Sequence, residues 1–570
     1  MRPLYIETPR GPMFAMYHAP EGTPSGTAVL LVPPFGWDDQ CAYRPRYDWA
    51  LALAAAGHAA LRVDLPGTGD SAGGPRDPDQ VDGWAMGVAA AVDLLRSAGA
   101  GRVAVITMGI GGLVTLLAMN RGTAIDDLVL WGMPLKGRAA LRELRAFGRL
   151  EASQTGADPA SIPEGEIHAG GHVMTAETTA AVTGLDAHGL IAAPGAARAL
   201  VLGRDGRGPE EELIEALRSA GSAVTIDRGQ GWGGTIAEPP STTPDATIAL
   251  VNDWLSVAAD GTVIGTVPGA ASAVFGTAGA RVRETPVLYE HAGAQLFAVI
   301  ATPEDQPVGS GTVSLFNAGV LRHVGPNRMY TEAARRWAAR GIPVIRLDIA
   351  GIGDAAGDPR PYIDPEVFHS RTLIEQARSS LDLAVAHGLP DRFLVGGMCS
   401  GAYWALHTML GDSRVLRAMT LNQRTMEFDP DAEPLRELGR FVRIATPQGF
   451  RYMMMGDRRL QRLGVLILWL LKTPVRTWRR FRSPPPPGDA LSTMLQTLHT
   501  RGQRLDMAFS DVEPLADALR EPERLAELES TGVQLYELPY ISHTLKPVEA
   551  QRAAHKFLDN IVEQTFPSTT

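Results

Sequence analysis

Residues 393–406 read Phe-Leu-Val-Gly-Gly-Met-Cys-Ser-Gly-Ala-Tyr-Trp-Ala-Leu, and this stretch decides the fold. An apolar run, a glycine-framed turn and a helix-compatible segment follow one another, which is the strand–turn–helix context of a nucleophile elbow. Cysteine, Cys399, stands at the centre, where a serine is usual. The flanking glycines are needed because a Cβ there would collide with the neighbouring strand or helix. A thiol at a helix N-terminus has a lowered pKa, so the stretch predicts acyl transfer through a cysteine.

The bulk properties indicate a large protein without a nucleic-acid partner. A chain of 570 residues exceeds one ordinary core, so two domains are expected. The net charge of -10 argues against nucleic-acid binding, and two cysteines allow neither a disulfide scaffold nor a paired-cysteine metal site. We expect no metal and no cofactor. The N-terminus lacks a signal peptide and no apolar run reaches the ~20 residues of a membrane span, so a cytoplasmic location is expected.

The chain contains two copies of one pattern, offset by about 284–290 residues. Residues 64–70 (DLPGTGD) match residues 348–354 (DIAGIGD), and residues 102–111 match residues 392–401. Each copy reads strand, loop, helix, strand, glycine-rich turn, helix, strand and elbow. Strands that alternate with helices predict parallel β-α-β units, and therefore an α/β fold in each copy.

This order of motifs resembles the α/β-hydrolase superfamily over nearly the whole chain, twice. It is closest to bacterial hydrolases in which an N-x-G oxyanion loop precedes Gly-Pro-Asn-Arg, here residues 317–319 and 325–328. The resemblance implies two tandem α/β-hydrolase domains, each a mostly parallel sheet flanked by helices, the second with a helical lid. The expected bounds are a first domain at 1–258, a linker at 259–283, and a second domain at 284–565 with its lid at about 425–500.

The first copy is predicted to be catalytically silent. Its elbow position is Gly109, which has no side chain to attack with, and no histidine lies between His188 and His291. The copy could buttress or shape the entrance of the second, or it could bind a carrier protein or second substrate. Cys41 is expected to be inert packing.

In the second copy the histidine expected late in the domain is His543, after a strand-like run at 533–538. The resemblance implies an acid in the loop after the penultimate strand. That loop is similar to the family's S-x-x-D-P-L, with Glu513 in place of the aspartate. Glu513 is the first choice for the acid and Asp511 the second. Either would orient His543, the base that deprotonates Cys399.

Backbone N–H groups of Ser400 and of Ala318 or Gly319 are expected to hold the oxyanion. The side chains expected to contact substrate are Asn317, His323 and Met398, joined in the lid by Trp469, Arg479 and Arg480. The lid is open to three interpretations: a helix packed on the core, an apolar acyl channel with a basic mouth for the phosphate of a coenzyme A or carrier-protein arm, or a shallow membrane contact.

The sequence therefore predicts an enzyme that acts on an acyl thioester or activated ester through an acyl-cysteine. Thiolates exchange readily with thioesters, and an acyl-cysteine can pass its acyl group to another nucleophile. The activity would be that of an acyltransferase, cyclase or thioesterase, with natural-product assembly as one setting. Two alternatives remain: a simple ester or lactone hydrolase, and a non-catalytic protein that binds a ligand or carrier protein and in which Cys399 is a relic, as Gly109 is.

Overall fold

Two large sheets organise the protein, which is described here from a computed structural model. The structure describes residues 1–191, 194–257, 264–265, 267–428, 490–511 and 513–567. Most of the predicted lid, including Trp469, Arg479 and Arg480, lies outside the described residues. Both sheets are mostly parallel and flanked by helices, so the predicted α/β class is confirmed.

The first sheet has the strand order β1-β2-β4-β3-β5-β6-β9-β10, and a separate small hairpin is formed by β7 and β8. β1 and β2 form an antiparallel hairpin beside β4, and the pairs from β4 through β10 are parallel. The strands are β1 Arg2–Thr8, β2 Gly11–His18, β3 Thr27–Val32, β4 Ala59–Val63, β5 Arg102–Met108, β6 Asp127–Trp131, β7 Ile167–Ala169, β8 His172–Met174, β9 Arg198–Leu202 and β10 Ala223–Asp227.

The second sheet repeats this order behind one extra edge strand, as β11-β12-β13-β15-β14-β16-β17-β18-β19. Its central strands β14, β15 and β16 are buried along their whole length, as expected for apolar runs covered by helices on both faces. The strands are β11 Ala273–Phe275, β12 Val282–His291, β13 Ala294–Pro303, β14 Thr312–Phe316, β15 Val344–Asp348, β16 Phe393–Met398, β17 Val415–Leu421, β18 Arg504–Ser510 and β19 Val533–Leu538.

Helices cover both faces of each sheet. Those of the first half are Trp37–Ala55, Gln80–Ser97, Gly111–Asn120, Gly137–Thr155, Ala176–Thr183, Ala187–Leu190, Glu211–Ser219, Trp232–Thr235 and Asp245–Ser256. Those of the second half are Met329–Ala338, Pro365–Phe368, Arg371–Ala386, Ser400–Gly411, Ala490–Thr500, Pro514–Leu519, Pro522–Thr531 and Val548–Thr565. No helix in the described part of the chain is long and apolar enough to cross a membrane.

The segment expected to be a linker, 259–283, contains regular structure where it is described. Ala270 forms a β-bridge with Tyr5 of the first half, and Ala273–Phe275 forms the edge strand β11. Phe275 packs edge-on against Tyr5, with ring centroids 5.6 Å apart. Apolar side chains hidden in this Ala- and Gly-rich run therefore anchor the segment to both halves.

The two halves also meet through reciprocal buried ion pairs. Arg62 of β4 reaches Asp354 in the glycine-rich turn of the second half, with Nη2 2.6 Å from Oδ1. Arg346, its counterpart in β15, reaches Asp70 in the turn of the first half, with Nη1 2.5 Å from Oδ1. Exchange of equivalent contacts is the mark of an approximately two-fold interface.

Candidate active site

Cys399 is held at a sharp turn between β16 and the helix Ser400–Gly411. Its backbone has φ 58° and ψ -114°, a conformation that costs a non-glycine residue strain and that clusters at functional sites. A Cβ on Gly397 would collide with the backbone of Gly401, and a Cβ on Gly401 would collide with the carbonyl oxygen of Asn317. The two glycines therefore permit the close packing that holds the thiol at the end of the strand.

The structure brings His543 and Glu513 together. Nδ1 of His543 lies 2.7 Å from Oε1 of Glu513, whose side chain is 8% exposed. Asp511, the second choice for the acid, is exposed, and its backbone N–H donates to the carbonyl oxygen of Tyr540. A hydrogen bond at Nδ1 leaves Nε2 of His543 as the nitrogen available to the thiol, and Nε2 is buried without a well-formed hydrogen bond in the described chain.

The thiol and the imidazole shift each other's pKa. Burial acts to raise the pKa of the Cys399 thiol, but His543 and the charge of Arg424 outweigh it and hold that pKa below its usual range. Burial acts to lower the pKa of His543, yet Cys399 and Glu513 together raise it to about 9. Both shifts favour a thiolate beside an imidazolium, the reactive form of a cysteine nucleophile.

Asn422, which the sequence analysis missed, ties the histidine loop to the sheet. It follows β17 with φ 47° and is fully buried. Its Nδ2 donates to the carbonyl oxygen of His543 at 2.8 Å, and its Oδ1 accepts from the backbone N–H of Ser510 at 2.7 Å. Its place at the carboxyl end of a parallel strand, where ligand sites form in such sheets, was the signal that could have identified it.

The loop expected to hold the oxyanion lies next to Cys399. Ala318 and Gly319 line the cavity at the thiol, as Met398 does. The backbone N–H of Gly319 donates to Oγ of Ser400 at 3.1 Å, so this donor is occupied by a hydroxyl. The backbone N–H of Ser400 points to the thiol and contributes to its lowered pKa.

Two expected substrate contacts are corrected by the structure. Asn317 is fully buried, and its Nδ2 donates to the carbonyl oxygen of Leu321 and to Asp348 at 3.0 and 2.8 Å, so it shapes the loop from within. His323 is also fully buried, with Nδ1 2.7 Å from Asp348 and Nε2 2.5 Å from Asp70. Proximity in sequence to the oxyanion loop did not reveal that both side chains point into the protein.

The first half forms part of the wall at Cys399. The thiol opens on a cavity of about 120 Å³, and its lining residues from the first half are Trp37, Gln40, Glu238 and Pro239. Lys546, three residues after His543, places its Nζ 4.2 Å from the ring centre of Trp37 and pairs with Glu151 at 3.0 Å. Both the cavity and the histidine loop thus depend on contacts with the first half.

In the first half, the turn that corresponds to Cys399 is at Gly109, and the ring of Trp232 lies beside it. Gly109 has φ 53°, close to that of Cys399, so the turn is preserved without the nucleophile. A Cβ on Gly109 would lie 3.6 Å from the ring of Trp232, which stands in the region where the sequence lacks a histidine. Trp232 packs on Trp131 with ring centroids 5.3 Å apart. Aromatic side chains therefore pack beside the turn at Gly109.

One group of side chains among the described residues has the spacing of metal ligands, namely His323, Asp348 and Asp354. Asp354 already accepts from Arg62 and from the hydroxyl of Tyr43. Burial acts against charge on His323, but its two aspartates raise its pKa to about 10, so its nitrogens carry protons. A protonated imidazole has no lone pair for a metal, and the group forms an ionic contact between the halves.

No family model matches the sequence, and no curated protein matches it. Among solved structures, the chain is similar to Est1E from Butyrivibrio proteoclasticus with ferulic acid bound, at 18% identity over 44% of this chain and 97% of that chain, with a TM-score of 0.32. It is similar to a thioesterase domain from the curacin biosynthetic pathway, at 17% identity over 48% and 99%, with a TM-score of 0.28. It is also similar to α/β-hydrolase domain-containing protein 10 from mouse, at 10% identity over 49% and 99%, with a TM-score of 0.28.

Proposed function

We propose that this chain, whose two sheets share one strand order apart from an extra edge strand in the second, is a cysteine-dependent enzyme that transfers acyl groups from a thioester or activated ester. The observation that carries the proposal is the arrangement around the thiol. Cys399, in a strained turn, has a lowered pKa beside His543, and His543 is bonded to Glu513 at 2.7 Å. A catalytic triad is recognised by such geometry and roles, and chain position is secondary.

The proposed reaction has two acyl-transfer steps. The Cys399 thiolate attacks the acyl carbonyl carbon and forms a carbon–sulfur bond, while the bond to the leaving thiol or alkoxide breaks and that group takes the proton from Nε2 of His543. An acceptor then gives its proton to His543 and attacks the acyl-cysteine, which releases Cys399. The acceptor is water in a hydrolase; in a transferase or cyclase it is an alcohol, an amine or a carbon acid, which attacks as a carbanion once its proton is on His543.

Thioesters are the preferred donor class because attacking and leaving groups have similar basicity, so the exchange is nearly balanced. The negative oxygen of the tetrahedral intermediate would accept from the backbone N–H groups of Ser400 and Gly319. The hydroxyl of Ser400 then has to leave the N–H of Gly319, which it occupies here. In this proposal the first half is non-catalytic and supplies one wall of the substrate cavity through Trp37 and Gln40.

Intact-protein mass spectrometry with a series of acyl thioesters tests the proposal. We expect the wild type to gain one acyl mass and Cys399→Ala to gain none. The turnover rate of Cys399→Ala with the same donors should fall by about 10⁶-fold, as for other enzymes that lose their nucleophile. Cys41→Ala is the matched control, because Cys41 is the only other cysteine and is 2% exposed.

An adduct that persists in Cys399→Ala would contradict the proposed nucleophile. No adduct with thioesters or activated esters would favour the binding-protein alternative. Chasing the acyl-enzyme with water alone, and then with added amine or alcohol, separates hydrolysis from transfer.

A further inference from the structure

A second cavity, larger than the one at Cys399, lies between the two halves and adjoins it. It measures about 380 Å³ and takes its lining from both halves, from Phe35 through His555. The residues that line both cavities are Gln40, Pro239, Val320, Leu321 and Asn327. The two cavities therefore meet at these five residues.

Arg328, the last residue of the Gly-Pro-Asn-Arg motif, lines this cavity with a charge that no carboxylate hydrogen bond compensates in the described chain. It is 8% exposed, and its Nε and Nη2 donate to the carbonyl oxygens of Gly69 and Ser71 at 2.8 and 2.7 Å. The third guanidinium nitrogen of Arg328, Nη1, lies near Gly74, which also lines the cavity. Carbonyl oxygens satisfy hydrogen bonds but carry no net charge.

Neighbouring buried arginines differ from Arg328 in this respect. Arg322 is bonded through both terminal nitrogens to Asp64, and Arg346 is bonded to Asp70 and Glu284. Burial, with Arg335 nearby, lowers the pKa of Arg328 to about 10 against the opposing effect of Glu332, Asp70 and Glu284, which still leaves it charged at neutral pH. These three carboxylates act on Arg328 through their charge alone. Burying a guanidinium is costly, and an anion bound directly to it would offset more of that cost.

A second polar group in the same cavity lacks a partner. Nε2 of His172 is buried and makes no hydrogen bond within the described residues. Burial, with Lys546 nearby, lowers the pKa of His172 to about 4, so the ring is neutral and can donate a hydrogen bond without adding charge. At the rim, Arg552 also lines the cavity, with its side chain 67% exposed.

We propose that the cavity between the halves binds the phosphate of a phosphopantetheine-type thiol arm, with the phosphate at Arg328 and the thioester at Cys399. The inference rests on the proposed function, because it names the donor that the acyl-transfer site accepts. A guanidinium and a neutral hydrogen-bond donor that line one cavity can both donate to the oxygens of a phosphate ester. Coenzyme A and a carrier protein both present this arm, so the shared chemistry is a phosphorylated pantetheine thioester.

The test compares two donors with the same acyl group, acyl-phosphopantetheine and acyl-pantetheine, by the rate at which each adds its acyl mass to Cys399. We expect the phosphate to raise the rate constant of the wild type at low donor concentration by about 10-fold or more, the value of a charged hydrogen bond. In Arg328→Gln the two donors should react at equal rates. Acyl-coenzyme A, as a third donor, distinguishes the sources: it should match or exceed acyl-phosphopantetheine if free coenzyme A is the donor and fall below it if a carrier protein is.

Arg335→Gln is the matched control. Arg335 also donates to the carbonyl oxygen of Ser71, at 3.0 Å, but its charge is paired with Glu284 and it does not line the cavity. The preference for the phosphorylated donor should survive this change. Loss of the preference in Arg335→Gln to the same extent as in Arg328→Gln would overturn the assignment to Arg328.

Further outcomes keep the two proposals distinguishable. Equal rates with both donors in the wild type would overturn this inference and leave the proposed function standing, whereas no adduct from any donor would overturn the proposed function itself. If Arg328→Gln does not fold, free phosphopantetheine and pantetheine can be compared as inhibitors of wild-type acylation by acyl-pantetheine. We expect the phosphorylated compound to inhibit at about 10-fold lower concentration or less, and equal inhibition would overturn the inference.

Discussion

At the scale of single residues, the chemistry of the candidate site depends on which atoms of His543 are engaged. Glu513 accepts from Nδ1 and leaves Nε2 for the thiol and the leaving group. The pair titrates as a unit, so its two apparent pKa values belong to Cys399 and His543 together. The thiol pKa is lowered and the imidazole pKa is raised to about 9, which gives a window in which thiolate and imidazolium coexist.

We expect the acylation rate to follow this window. It should rise with pH as the thiol ionises, below the usual thiol range, and fall as pH passes about 9 and His543 loses the proton needed by the leaving group. Glu513→Gln removes a group that raises the pKa of His543, so the falling limb should move to lower pH and the rate should drop by about 10²–10⁴-fold. The measurement is the pH profile of Cys399 acylation.

Asp511→Asn is the control for that prediction, since Asp511 is an exposed carboxylate two residues away in the same loop. In Asp511→Asn, the rising and falling limbs of the pH profile of acylation should lie at the same pH values as in the wild type. A profile that moves in Asp511→Asn and not in Glu513→Gln would reverse the assignment of the acid.

At the scale of elements, the junction of β16 with the helix Ser400–Gly411 carries a recognisable local motif. Gly397 and Gly401 are required by contacts within a few residues and with the neighbouring loop, so the turn could be predicted from the motif. The loop residue Asn317 could not be interpreted in this way. Its side chain turns inward to Asp348, which is remote in sequence and adjacent only after the strands have paired.

Two glycines of one helix should respond oppositely to alanine. Gly401→Ala places a Cβ against the carbonyl oxygen of Asn317, and the resulting strain should lower the free energy of unfolding by about 1–3 kcal/mol and reduce acylation. Gly411→Ala, at the end of the same helix, meets nothing within 4 Å and should raise stability by about 0.5–1 kcal/mol. Urea unfolding of the two variants measures both effects. Equal stabilisation of both variants would show that helix propensity, and not the close approach at Gly401, governs this site.

At the scale of the whole molecule, the two halves exchange equivalent buried ion pairs. Residues of the first half also line the cavity at Cys399. The repeat, the alternation of strands with helices and the turn at Cys399 could be predicted because each is encoded within one copy. The contribution of Trp37 and Gln40 to the cavity could not, because it depends on how two copies pack. For the same reason, the burial of His323 could not be predicted. Its partner Asp70 belongs to the other copy, and nothing near His323 in sequence indicates a buried imidazolium.

The last prediction concerns the ion pairs that hold this arrangement. Arg346 is fully buried between Asp70 and Glu284, and removing one member of a buried pair leaves an uncompensated charge. Arg346→Gln should therefore lower the free energy of unfolding by about 3–5 kcal/mol. Since Arg62 makes the reciprocal contact with Asp354, Arg62→Gln should cost a similar amount.

A surface pair provides the comparison for both variants. Arg121 and Asp82 are bonded across two helices, but their side chains are 44% and 48% exposed, so Arg121→Gln should cost under about 1 kcal/mol. Urea unfolding followed by fluorescence measures all three variants. If Arg346→Gln and Arg62→Gln cost no more than Arg121→Gln, the charged interface contributes nothing to stability, and the apolar contacts of Tyr5 and Phe275 would have to hold the halves together. If they cost what we expect, the first half is bound firmly enough to serve as a fixed wall of the site at Cys399.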